Sequence, residues 1–207
     1  MTSPFTGRQA GLASIVAAGL ILVSQTLQLV LPLTMPESFW IATQSLRMGL
    51  ALLAMFALLL ALTGLYSRQV AGAGSLGLVG YLVAFLGTML VAGNWWYEAF
   101  IGPAIREQAP ELLTTAPSGS IIIGAAITSV TFAAGWVMFG LASVRAGVFP
   151  RRMAVLMTVG GVAGVLTLIA PFQLVLAFAV GWMGAWLVRS DAPSNVTAQS
   201  RAYDAPK

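Results

Sequence analysis

The chain has no cysteine and no histidine, and its only lysine is the last residue, Lys207. Without His or Cys the usual ligands for zinc, copper and haem are missing, and no Ser–His or Cys–His nucleophile pair can be built. With no earlier lysine, a Ser–Lys pair and a retinal-type Schiff base are excluded as well. The lack of cysteine carries no message about redox compartment, because a membrane protein has no need of bridges. Charge is scarce too. Asp, Glu, Lys and Arg make up 8% of the 207 residues, against about 25% in an ordinary soluble domain. Asp191 and Asp204 both fall in the C-terminal tail, so Glu98 is the only acid beside an apolar block. General acid–base chemistry would rest on that one carboxylate. We therefore expect no enzyme activity, no catalytic residue, no cofactor and no metal.

What fills the chain is apolar: 58% of residues are hydrophobic, and the mean hydropathy is +0.90. A water-soluble fold of this size could not hide so much apolar surface, whereas a bilayer's hydrocarbon can. The expected class is an all-α, polytopic transmembrane helical bundle in one membrane domain, residues 1–189. The net charge of +4 is spread singly between apolar blocks. A phosphate-binding patch would cluster it on one face, so no nucleic-acid partner is expected. The block at 11–31 is longer than the roughly 7–15 apolar residues of a signal peptide, and it reads as a retained first span.

Charged residues divide the sequence into spans at about 9–31, 44–66, 76–97 and 120–144. Each is close to the ~20 residues that cross ~30 Å of hydrocarbon at 1.5 Å per residue. The interval 152–189 is too long for one untilted span and just long enough for two. Pro171 lies near its middle and would break a helix there, giving spans at 153–170 and 172–188. One kinked, tilted helix is the alternative. The tail, 190–207, is polar and is expected to be disordered and cytoplasmic.

Orientation follows from the arginines. With the N-terminus inside, Arg8, Arg68, Arg145, Arg151, Arg152, Arg189, Arg201 and Lys207 fall on the cytoplasmic side. Only Arg47 and Arg106 fall outside, with Glu37, Glu98, Glu107 and Glu111. Basic residues in short loops set topology, so six spans with both termini inside are expected. Phe39, Trp40, Trp95, Trp96, Tyr97 and Phe100 sit at outer span ends, where amphipathic rings favour the headgroup region.

Polar residues gather at one depth. Gln25 and Gln28 stand roughly 24 and 28 Å above Gln9 and share a helix face. Arg47 opens the second span, and Asn94 and Glu98, four residues apart, reach the same level on the third. These five are the candidate ligand-binding residues of a polar pocket facing outward, since ionisable groups in spans are functional candidates by default. Against this, Arg47 and Glu98 could simply tie two helices at the interface, and the depth of Glu98, ~33 Å above Leu76, favours that plainer reading. Residues 103–117 suggest a short interfacial helix, either a lid over the cluster or a plain connector. Glycines at 77, 80, 87, 160, 164, 181 and 184 suit close helix packing within one chain, with a homodimer through Gly160-x-x-x-Gly164 as the alternative. Gly64-Leu65-Tyr66-Ser67-Arg68 and Gly140-Leu141-Ala142-Ser143 echo one another faintly at two inner span ends.

Two stretches carry a resemblance. One runs over 96–112, with Phe100, Pro103 and Ala109-Pro110-Glu111-Leu112; the other is Arg145-Ala146-Gly147-Val148-Phe149-Pro150-Arg151-Arg152, leading into a Gly-rich span. They resemble a broad group of uncharacterised bacterial six-span inner-membrane proteins. The resemblance covers about the second half of the chain and implies that architecture, without any activity or ligand. The function expected is non-enzymatic binding or facilitated passage of a small polar or amphiphilic solute. The alternative is an accessory or scaffold subunit docked on a larger membrane complex. The expected partners are the lipid bilayer, with a small-molecule ligand in the first reading and membrane-protein partners or further copies of this chain in the second.

Overall fold

The computed structural model describes residues 7–114, 116–169 and 171–190, and in these the chain is helical nearly throughout. Four helical stretches are long and apolar enough to cross a membrane: Gly7–Thr34, Gln44–Gln108, Gly119–Ala146 and Gln173–Ser190. Of the tail expected to be disordered, 190–207, Ser190 closes the last helix and 191–207 lie outside the described residues.

The first helix, α1 (Gly7–Thr34), runs past the expected end at residue 31 and carries Pro32 inside its last turn. Proline there removes one backbone donor, and the helix closes regardless through Met35 N–H bonding to the Leu31 carbonyl at 2.9 Å. A short helix, α2 (Glu37–Ala42), follows. The next, α3 (Gln44–Phe100), holds 57 residues, which laid straight would reach ~85 Å. It does not run straight. Gly74 takes φ 57 and ψ −160, a conformation that essentially only glycine adopts, and reverses the chain. The second and third expected spans, placed at 44–66 and 76–97, are thus one hairpin of two long arms. Its turn is narrowed to a single non-helical residue. Tyr66 and Tyr81 stack across the hairpin with ring centroids 4.5 Å apart. At its open end Gln44 and Glu98, 54 residues apart, are in hydrogen-bond contact.

The expected single helix over 103–117 is two pieces, α4 (Gly102–Gln108) and α5 (Glu111–Thr114). The break is at Ala109, φ −147 and ψ 56, because Pro110 disfavours helical geometry in the residue before it. Then α6 (Gly119–Ala146) ends at Gly147, whose left-handed φ of 65 caps it. The interval 152–189 forms two helices, α7 (Arg151–Ala163) and α8 (Gln173–Ser190). The α-helix stops at Ala163 rather than at 170 and tightens into a 3₁₀ turn, Gly164–Leu166. That leaves a turn around Pro171 longer than expected. Gly160 meets Leu176 across it, so the two helices fold back on each other, and one kinked rod is excluded.

The rods close a ring in chain order: α1 packs on α3, α3 on α6, α6 on α7, α7 on α8, and α8 returns to α1. In lipid there is little hydrophobic drive between helices, and close backbone approach replaces it. A Cβ built on Gly11 would stand 2.7 Å from the Gly184 carbonyl oxygen, and one on Gly184 would stand 2.6 Å from that of Gly11. Gly80 and Gly87 face Phe139 and Phe132 of α6 in the same way, and Gly164 faces Phe132. The glycine pairs singled out in the sequence therefore pack within one chain. At the centre Trp136 is fully buried and donates its indole N–H to Thr88 Oγ1 at 3.2 Å.

Two ends of the ring differ in charge. The helix ends that meet near Gly74 carry Arg8, Arg68, Arg145, Arg151, Arg152 and Arg189, all exposed. The other end carries Arg47, Arg106, Glu98, Glu107 and Glu111, with Phe39, Trp96, Tyr97 and Phe100 exposed around it. One asymmetry was not foreseen. Phe132, Trp136 and Phe139 bury the half of α6 towards Gly74, yet none of residues 119–131 is buried.

Candidate functional site

Four of the five residues picked from the sequence line one cavity of about 330 Å³ at the Arg47 end of the ring: Gln28, Arg47, Asn94 and Glu98. Their convergence comes from the hairpin at Gly74. It folds the second arm of α3 back until residue 98 lies beside residue 44, and α1 then packs against the same pair. Gln44, Trp95 and Arg106 complete the polar wall, with Met48 and Leu168 as its apolar part.

A relay of hydrogen bonds crosses this wall. Arg106 Nη2 on α4 donates to Gln44 Oε1 at 2.7 Å, and Gln44 Nε2 donates to Glu98 Oε2 at 3.2 Å. Gln44 thus passes polarity from a guanidinium to a carboxylate, each end of its amide matched to the charge it faces. Arg47 is 1% exposed, and its Nε donates to Thr43 Oγ1 at 3.4 Å. An arginine so enclosed is costly unless charge and acceptors lie near. Gly102 leaves room at this corner: a Cβ there would stand 3.4 Å from Glu98 Oε2 and 3.2 Å from Gln44 Nε2.

Gln25, the fifth residue, goes elsewhere. It is buried and donates from Nε2 to Gln173 Oε1 at 3.3 Å, and it does not line the cavity. Gln173 in turn donates to the Thr167 carbonyl and hydroxyl at 2.8 and 2.9 Å. This second polar cluster satisfies the open carbonyls where the 3₁₀ turn ends, and it ties α1 to α8 just beside the cavity. Gln25 and Gln28 share a helix face as expected, but a three-residue step also carries ~4.5 Å of rise, enough to send them to different neighbours.

Sequence reasoning missed Gln44, Trp95 and Arg106 as site residues. Gln44 lies three residues before Arg47, the same spacing that singled out Gln28 from Gln25, so its signal was present. In the sequence Arg106 reads as part of the interfacial segment. Its contact with Gln44 makes α4 part of the wall rather than a plain connector. A smaller cavity of about 180 Å³ lies under α4, between Ile41, Gln44, Pro103, Arg106 and Glu107.

Fold and charge segregation define the class: an all-helical bundle with helices fit to cross a membrane and a polar cavity at one end. Comparison with protein-family models, curated proteins and solved structures finds no match to this chain.

Proposed function

We propose that this is a non-enzymatic, six-span inner-membrane protein with both termini in the cytoplasm. It binds, and eases the passage of, a small polar or amphiphilic solute through its outer half. Four features support the topology. Six rods arise once the hairpin at Gly74 is counted as two. The start of α1 and the end of α8 lie side by side, with Gly11 against Gly184. The exposed arginines crowd at that end, and basic residues near span ends mark the cytoplasmic side. The 3₁₀ turn lengthens α7 to ~26 Å, enough for a slightly thinned or tilted span.

The solute reading is carried by one observation, the 330 Å³ cavity lined by Gln28, Arg47, Asn94 and Glu98. Its volume falls in the range of small-molecule sites, about 300–1,000 Å³, and a few convergent polar groups in an apolar body are what such sites share. No described acid lies near the middle of the rods, so facilitation fits better than proton coupling. Native mass spectrometry of the protein released from mild detergent tests this reading. The intact protein is expected to retain a small molecule, and the Arg47→Ala, Glu98→Ala double variant, still folded, is expected to lose it. Equal retention by both would remove the cavity from the function.

A second reading has its own support. Residues 119–131 of α6 have no buried member and include small side chains at Ser120, Gly124 and Thr128, one helix turn apart. Such a stretch suits docking of another membrane helix, as an accessory subunit would use it. Under that reading a second polypeptide appears in the same spectra, and the cavity variants leave it in place.

A further inference from the structure

We propose that the ligand of the cavity carries an oxyanion, a phosphate or carboxylate group, held by N–H donors of Trp95, Arg106 and Arg47. The proposal rests on the solute-binding reading and adds the chemistry of what is bound. It follows from the balance of donors and acceptors in the wall. Arginine and tryptophan can only donate, so three of the polar side chains there supply no acceptor at all. The wall's one carboxylate, Glu98, already accepts from Gln44, and the Gln44 carbonyl already accepts from Arg106.

Gln28 Nε2, Trp95 Nε1 and Arg106 Nε, all on wall residues, remain without an acceptor. Trp95 is 5% exposed and its Nε1 has no hydrogen bond; Arg106 uses Nη2 on Gln44 while its buried Nε has none. Buried N–H groups in folded proteins are nearly always paired, and an unpaired one marks a missing partner. Charge points the same way. Arg47 and Arg106 against Glu98 leave the wall with one positive charge in excess. A neutral sugar could accept from the donors but would leave the excess charge uncompensated, and an ammonium compound would add repulsion. An anionic group with several oxygens meets the donors and the charge together. The donor atoms are now closed off from water, and arginine and glutamine side chains of the wall are long enough to swing aside as the anion enters.

The oxyanion can come from a lipid headgroup or from a free solute, and the same experiment separates the two. The full-length chain in a neutral maltoside detergent, at constant chloride, is titrated with inorganic phosphate, sodium acetate, short-chain phosphatidylglycerol or dodecyltrimethylammonium. Bound mass and tryptophan emission are both read. One phosphatidylglycerol, phosphate or acetate per chain is expected. Binding is expected to weaken about tenfold to a hundredfold in Trp95→Phe and in Arg106→Gln, the loss of one hydrogen bond to a charged group. Trp95→Phe keeps the ring in place, and Arg106 is only half-buried on a short surface helix, so at least one variant retains the fold. Binding of phosphatidylglycerol alone assigns the oxyanion to a lipid, and binding of phosphate or acetate assigns it to a soluble anion. Either result supports the proposal. It is overturned if no anion binds, or if the anion binds equally to both folded variants. Should the ammonium amphiphile bind instead, the solute reading stands and the oxyanion falls. If nothing binds, both fall.

Discussion

Gln69 is the residue whose chemistry is least accounted for by the fold. It is fully buried on α3 near the arginine-rich end, and neither its Nε2 nor its Oε1 has a hydrogen-bond partner. A buried amide without partners loses its water and gains nothing, at a cost of about 1–3 kcal/mol per unmet group. Gln69→Leu, of similar size, is therefore expected to raise stability by about 1–3 kcal/mol in reversible SDS unfolding followed by circular dichroism. A loss of stability would mean the amide is paired in the folded protein. Trp136 shows the opposite state, since its indole N–H is paired with Thr88 in the same apolar core. At this scale the sequence singled out Gln25 and Arg47, both buried, but it left the buried Gln69 in the loop between two spans. It was a poor guide to pairing: Gln25 and Gln28 look equivalent until Gln173 and the cavity claim one each.

Among elements, the hairpin of α3 has the largest consequence. Its reversal depends on Gly74 at φ 57 and ψ −160, where a Cβ meets the backbone rather than a neighbour, for no other atom lies within 4 Å of the built Cβ. Gly74→Ala is thus expected to cost about 1–3 kcal/mol purely from backbone strain. The same unfolding assay checks it, and an unchanged midpoint would show that the turn tolerates a side chain. The strain should also be felt at the cavity 25 or so residues away, because the two arms meet there only if the turn is tight. Composition marked the arms but not the turn. Residues 67–75 look like a loop because Arg68, Gln69 and Ser75 interrupt the apolar run, yet helix geometry continues through all but one of them. Likewise Pro171 marks a break expected at 170, yet the α-helix already stops at Ala163, and Pro110 splits the interfacial segment at Ala109, the residue it restrains.

For the molecule as a whole, the proposed topology makes a clean prediction, helped by the absence of native cysteine. Single cysteines in place of Ser67 and Arg151 are expected to react with a membrane-impermeant maleimide only after the cells are opened. Cysteines at Glu107 and Glu111 are expected to react in intact cells. Labelling of Arg151→Cys from outside would reverse or discard the arrangement. The bearing on function is direct, since the cavity at the Arg47 end faces outward only in this orientation.

Apolar block lengths and the placing of arginines and glutamates were enough to establish helices, their approximate bounds and the two unlike ends. The reason is that spans obey a one-dimensional rule, enough apolar residues between charges to match a fixed thickness of hydrocarbon. The tertiary structure alone decided which polar residues share a space. Gln44, Trp95 and Arg106 joined the wall, and Gln25 left it, because a neighbour in a ring depends on helix rotation and on the angle of a single glycine. Neither quantity is encoded in composition or spacing.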